Sequence, residues 1–346
     1  MDKKSQTKKT HQQISNPTRF GGLAINTCRW AEESKELFAR CEETSKELKR
    51  KLVSNDNSLP SIQENKEYRK LKEAQLRRIV RQQIDDTQNP QDKRRIEELS
   101  LKGTSAWLNA VPIRAEGRYV PKAEFQDAIR MRVGIEPDGM SRICICGQRN
   151  SVIHAKNCHR GGYVNLRHDS VRNFIYDKAC LVFSDVEKEA RLKPVEEQTL
   201  NPGANTSVGA RSDVRVGSFT RPFQHTHFDI KIINTQADSH ALYNPRLALK
   251  KAEEGKDRAY KERIEKVENG LFVPLVFTSK GGKSRRCSRT IATIVTKLAL
   301  KRTQEKSHVA KAIATDLSFI FLRMELACIR GNRKTRSEIN AGGLVR

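Results

Sequence analysis

The spacing of apolar and polar positions changes period several times along the chain, and each change marks an element. Over residues 210–235, ARSDVRVGSFTRPFQHTHFDIKIINT, the period is two. Val214 and Val216 alternate with Asp213 and Arg215, and after a polar turn containing Pro222 the residues Phe228, Ile230, Ile232 and Ile233 supply a second β-rich run. Successive side chains on a strand leave opposite faces, so Asp229 and Lys231 share one face. If the two strands pair as a hairpin, Asp213 lies beside Asp229. On either side of this stretch the pattern predicts a helix at 166–183, an edge strand at 186–192 with Glu187 and Glu189 on one face, and a loop at 201–209. A long charged helix follows at 245–269, interrupted at most by Gly255 and capped by Gly270. Then come a strand at 271–278 ended by Gly281 and Gly282, and helices at 288–302 and 308–329. Helix, three strands, helix, strand and helices make an α/β fold, a mixed central sheet with flanking helices.

Residues 1–18 read as a basic disordered tail, and residues 19–140 read as helical. Residues 1–18 are polar and charged, and 31–52 and 63–85 have helical composition, the second with Arg77, Arg78 and Arg81 on what reads as a solvated strut. A helix at 92–101 ends near Gly103, and Trp107, Leu108, Val111 and Ile113 form an apolar knot. Pro121 opens a helix to residue 132 with Phe125, Ile129 and Met131 inward. Trp30 and Trp107 read as core residues rather than stacking platforms.

Charge narrows the partner. Lys plus Arg number 66 against 41 Asp plus Glu, a net charge of +25 spread over the whole chain. That excess favours nucleic acid, since each neutralised phosphate releases condensed counterions. No run is long enough to span a membrane, and the polar N-terminus lacks the apolar core of a secretion signal. Membrane association is therefore not expected, and a nuclear location is. Three of the eight cysteines crowd into RICICGQRNSVIHAKNCHRGG, where Cys144, Cys146, His154 and Cys158 form C-x-C-x7-H-x3-C. Three thiolates and an imidazole suit a structural zinc site, with His159 and His168 as substitute ligands.

At this point the chain resembles the C-terminal region of non-LTR retrotransposon polyproteins, which carries a Cys/His zinc motif and then a restriction-like endonuclease of the PD-(D/E)XK type. The matching segments are TRFGGLAI, GTSAWLNAVPI, FQDAIRMR, CICG, HAKNC, GGY, LRHD, ARSDVRVGSF, HFDIKI, KDRAYKERI, FVPLVFTSKGG and LRMELACIRGNR. The resemblance implies a basic tail at 1–18, an α-helical linker region at 19–140, a zinc-binding module at 141–165, an endonuclease domain with a restriction-endonuclease-like core at 166–331, and a second basic tail at 332–346. Carried over by position, the family's metal-binding acids fall on Asp213 and Asp229, its motif lysine on Lys231, and a second basic position on Lys256 ahead of Tyr260. Glu187 or Glu189 would supply an upstream acid. Ser212 stands where the family usually has proline.

The expected chemistry is Mg²⁺-dependent nicking of DNA by phosphodiester hydrolysis, with RNA as a further partner. Lys231 would orient the attacking water or stabilise charge on the phosphoryl oxygens. Arg160, Arg167 and Arg215 are the candidate phosphate contacts. Two rivals remain: an inactive zinc-containing nucleic-acid binder, and a scaffold whose N-terminal helices engage a protein partner.

Overall fold

The computed structural model describes residues 74, 77, 78, 80–160, 163–196 and 199–331. The expectations for the tails at 1–18 and 332–346, for TRFGGLAI, for Trp30, for the helix at 31–52 and for most of the helix at 63–85 lie outside the described residues.

Four strands form one mixed sheet in the order β1-β2-β3-β4: β1 (Val186–Arg191), β2 (Arg211–Gly217), β3 (His225–Ile233) and β4 (Leu271–Thr278). The first three make an antiparallel meander, and β4 runs parallel to β3. A parallel neighbour needs a crossover connection. Helix α5 (Pro245–Lys256) supplies it, continuing through a π-helical turn (Asp257–Lys261) into α6 (Glu262–Lys266). This is the single long helix read from the sequence, with its irregularity just past Gly255, and Gly270 closes it by donating to the Ile264 carbonyl. Asn244 caps the start by accepting the Leu247 N–H at 2.9 Å, with Pro245 at the first position.

The alternation along β2 and β3 sends the two faces of the sheet to different helices. Val214, Val216, Phe228, Ile230, Leu275 and Phe277 pack on one face against α4 (Tyr163–Cys180), α7 (Arg285–Arg302) and α8 (Lys306–Gly331). Ile233 and Val276 face the other way, onto Ala248, Leu249 and Ala252 of α5. The result is a mixed α/β layer structure, as the element order predicts.

Helix α8, 26 residues and therefore about 39 Å long, joins two cores. One side of its first two-thirds closes the sheet's core through Val309, Ile313, Leu317 and Phe321. Its second half carries Phe319, Leu322, Leu326 and Ile329 into a second core with Trp107, with Ala128 and Met131 of α2 (Lys122–Val133), and with Ala155 of α3 (Val152–Asn157). A helix buried on several sides is apolar nearly all round, which is why its sequence reads as one dense run. Helix α1 (Pro90–Leu99) lies against this assembly, capped by Asn89. Two local expectations fail. Val111 and Ile113 are exposed rather than part of a knot, and Phe125 is exposed at the rim, meeting Trp107 edge-on at 5.8 Å instead of pointing inward. No described helix is long and apolar enough to cross a membrane.

Candidate functional site

Two groups of functional side chains assemble. The first is the Cys/His cluster. The chain turns back at CICG, where Cys144 N–H donates to Gln148 O and Gly147 N–H to Cys144 O, and Ile143 bridges Arg149. Gly147 takes φ +85°, a value that glycine adopts without strain. That tight turn lets two cysteines one residue apart face one point. Ser151 then caps α3 by accepting the His154 N–H, so His154 sits in the first turn of α3 and Cys158 at its C-cap. The ligand atoms of Cys144, Cys146, His154 and Cys158 all lie within 4.8 Å of one another. Cys144 Sγ is 3.6 Å from Cys158 Sγ, and Cys146 Sγ is 3.2 Å from His154 Nε2. Tetrahedral zinc with Zn–S near 2.3 Å and Zn–N near 2.1 Å separates such atoms by about 3.5–3.8 Å, so the donor set suits zinc and the Cys144–Cys158 separation matches that spacing, the Cys146–His154 one being tighter. His159 is exposed and stands outside this group.

The second group forms on the face of the sheet that α5 covers. Pairing of β2 with β3 is recorded as far as Val214↔Phe228, and one step further the same register sets Asp213 opposite Asp229. Backbone pairing stops there because the Asp213 carboxylate takes the next donor: Oδ2 accepts the Ile230 N–H at 2.5 Å. His168 of α4 reaches the same point, with Nε2 3.3 Å from Asp213 Oδ2 and 3.2 Å from the Ile230 carbonyl. Asp229 is only 6 % exposed. Its Oδ2 lies 2.7 Å from Lys256 Nζ, the last residue of α5. The contact is an ion pair that does not meet hydrogen-bond geometry.

The charges act on one another. Burial pushes the Asp229 carboxyl above the ordinary carboxylate range against the pull of Lys256, and the like charge of Asp213 adds to the push. Burial and then the neighbouring Lys256 lower the Lys231 pKa, while Asp229 raises it. For His168, burial disfavours the imidazolium, but its hydrogen bonds and charge interactions with Asp213 and then Asp169 outweigh it, and its pKa ends raised. Asp213, Asp229, Lys231 and Lys256, distant in sequence, therefore interact at one place.

Other expected positions fall differently. Glu187 pairs with Arg215 at 2.8 Å, and Asp185 lies 3.8 Å from the same guanidinium. Glu189, held at φ +55°, is taken by Arg172 and by Arg211 at 3.4 Å. Both upstream acids are thus neutralised by arginines. Arg160 is exposed. Arg167 corrects the sequence reading: it is 2 % exposed, close enough to Cys328 of α8 for its charge to act on that thiol, and buried too deeply to meet a phosphate. His168, which the sequence offered as a substitute zinc ligand, instead belongs to the carboxylate group. Its only sequence signal was its place in LRHD, because a helix residue's reach across a sheet end leaves no periodic trace.

No protein-family model matches the chain, and no curated protein is similar enough to count as a match.

Proposed function

We propose that the chain is a metal-dependent DNA endonuclease of retrotransposon origin, with a restriction-endonuclease-like core and a structural zinc module. The observation that carries this reading is the register that opposes Asp213 and Asp229, with Lys256 2.7 Å from Asp229 and Lys231 within electrostatic range. The order helix, three antiparallel strands, crossover helix and parallel strand supports the same reading. So does the net charge of +25, which suits a polyanionic substrate.

The residues fit a hard divalent cation: the register sets two carboxylates side by side, and the Asp229 carboxyl, its pKa raised by burial and then by the Asp213 charge, would be relieved by a cation. Bound there, Mg²⁺ would supply Lewis-acid polarisation of the scissile phosphate and lower the pKa of water. The chain's own residues do the rest. The Ile230 N–H and His168 fix the orientation of the Asp213 carboxylate. Lys256 holds Asp229 and can turn towards a phosphoryl oxygen. Lys231, its proton loosened by burial, orients the attacking water or meets charge developing on the phosphate.

A plasmid nicking assay with Mg²⁺ or Mn²⁺ tests the proposal. Asp213→Ala and Asp229→Ala are each expected to abolish nicking, and wild-type protein that binds DNA but never nicks it would overturn the enzyme reading. The Asp229–Lys256 ion pair favours a second reading, a catalytically inactive zinc-containing nucleic-acid binder, because it already satisfies the carboxylate. That reading expects salt-sensitive gel shifts that survive both aspartate substitutions.

A further inference from the structure

A cavity of about 510 Å³ opens between the loop after α1 and the facing sides of α7 and α8. It shares no residue with the carboxylate group or the Cys/His cluster. Its existence follows from small side chains at a helix-packing seam. Ala292 on α7 faces Ala310 and Ala314 on α8, where leucines would close the gap, and Ile313, Leu317, Ile291 and Val295 leave the walls apolar.

The charged residues of the lining are Lys102, Lys283 and Lys306, with no aspartate or glutamate among them. Lys283 is the unusual one. Its Nζ lies where a side chain on residue 103 would have to be: a Cβ built on Gly103 would fall 2.3 Å from it. Gly103 also holds φ +104°, a conformation that favours glycine whatever Lys283 does. Among the described residues Lys283 Nζ makes no hydrogen bond and no ion pair. Lys283 is half-buried, whereas the buried lysines Lys156 and Lys280 are both paired with Glu325. Burial lowers the Lys283 pKa, and neighbouring Lys102 lowers it further against the opposite pull of Cys287. A half-buried ammonium with no protein partner, at the wall of an apolar cavity, is free to receive an incoming anion.

The geometry points to a binding site for a small amphiphilic anion, an alkyl or aromatic body carrying one carboxylate, with the acid group on Lys283 and the apolar body between α7 and α8. Volume, an apolar lining and a few polar groups, Lys283 among them, agree with a small-molecule pocket. The cavity stands apart from the candidate nuclease residues, so the two readings fail independently.

Calorimetric titration of the full chain with sodium decanoate below its micelle concentration, and with decan-1-ol as the neutral counterpart, tests the assignment. Saturable binding of one decanoate per chain is expected, with decanol at least about tenfold weaker, the range for a hydrogen bond to a charged group. Lys283→Met should erase that preference while leaving decanol unchanged, and Ala314→Phe should remove binding of both. Ala106→Leu on the opposite wall replaces Ala314→Phe if the latter does not fold. Equal binding of decanoate and decanol by the wild type, binding that survives the filled cavity, or no saturable binding would each overturn the site.

Discussion

Glu325 of α8 holds the helical half of the protein to the sheet, and its removal should be costly in a calculable way. Its carboxylate lies 3.0 Å from Lys280 Nζ, just past β4, and 3.3 Å from Lys156 Nζ of α3. Lys156 is 0 % exposed in its side chain and donates also to Gln236 Oε1 at 3.0 Å, in the segment after β3. Glu325→Gln keeps the shape and deletes the charge, leaving two buried ammonium groups facing an amide, with Arg132 near by adding positive charge. At an effective dielectric near 20 an ion pair at this separation is worth about 5 kcal/mol before desolvation. Removing one partner of a buried pair costs about 3–5 kcal/mol. Urea unfolding followed by tryptophan fluorescence should therefore show the midpoint falling by about 1 M or more at an unchanged slope. Lys156→Met, which leaves one lysine on one glutamate, should cost less, and the double variant less than the sum of the two. The sign with pH is also fixed. Although burial opposes ionisation, Lys280 and then Lys156 hold the Glu325 pKa down to about 2 against an ordinary 4.5. The unfolded chain then binds the extra proton first, so the stabilisation is complete above pH 4.5 and is lost as pH falls towards 2, by about 3 kcal/mol. A loss below about 1 kcal/mol in Glu325→Gln, or an unchanged acid limb, would refute the reasoning.

Three further outcomes are expected. His227 is 2 % exposed beside Ser212, and burial, then the charges of Arg215 and His225, hold its pKa down to about 4. Stability should thus fall between pH 6.5 and 4 by up to about 3 kcal/mol, and His227→Gln should remove that slope in chemical denaturation. Cys144→Ser should lower the zinc content found by elemental analysis and the melting temperature, whereas chelation that leaves the wild-type melt unmoved would count against a structural metal. Phe228→Ala, at the centre of the sheet and edge-on to Phe219 at 4.9 Å, should cost about 3–5 kcal/mol in the same unfolding assay.

The sheet was legible because its strands alternate strictly or run apolar between turns, and local pattern fixes both period and face. Asp213 and Asp229 could be placed side by side because a hairpin's register follows from short-range pairing. What escaped was governed by long-range packing. Arg167 follows the helical pattern of its neighbours, yet the closeness of α4 to α8 buries it. Phe125, Val111 and Ile113 are apolar but sit where none of the described elements covers them. Lys156, Glu325 and Lys280 look like solvated charges until three elements fold onto one another. The Cys/His cluster was readable from spacing alone, since its ligands lie on one turn and one short helix.

The π-helical turn at Asp257–Lys261 sets the phase between two ends of one crossover. Before it, Lys256 points at Asp229; after it, the Arg263 guanidinium ties down the carbonyls of Lys193, Asn205 and Ser207, fastening the chain on either side of the excursion between β1 and β2. Asp257 itself is clamped by Arg286 at 2.6 Å, at the start of α7. Deleting one residue within that turn would restore ordinary helical winding with Arg263 and Lys256 near their present phase, whereas deleting one from the α-helical part would swing Arg263 by about 100° relative to Lys256. The wider turn thus works as a spacer: it allows one rod to serve the carboxylates at one end and grip a loop at the other.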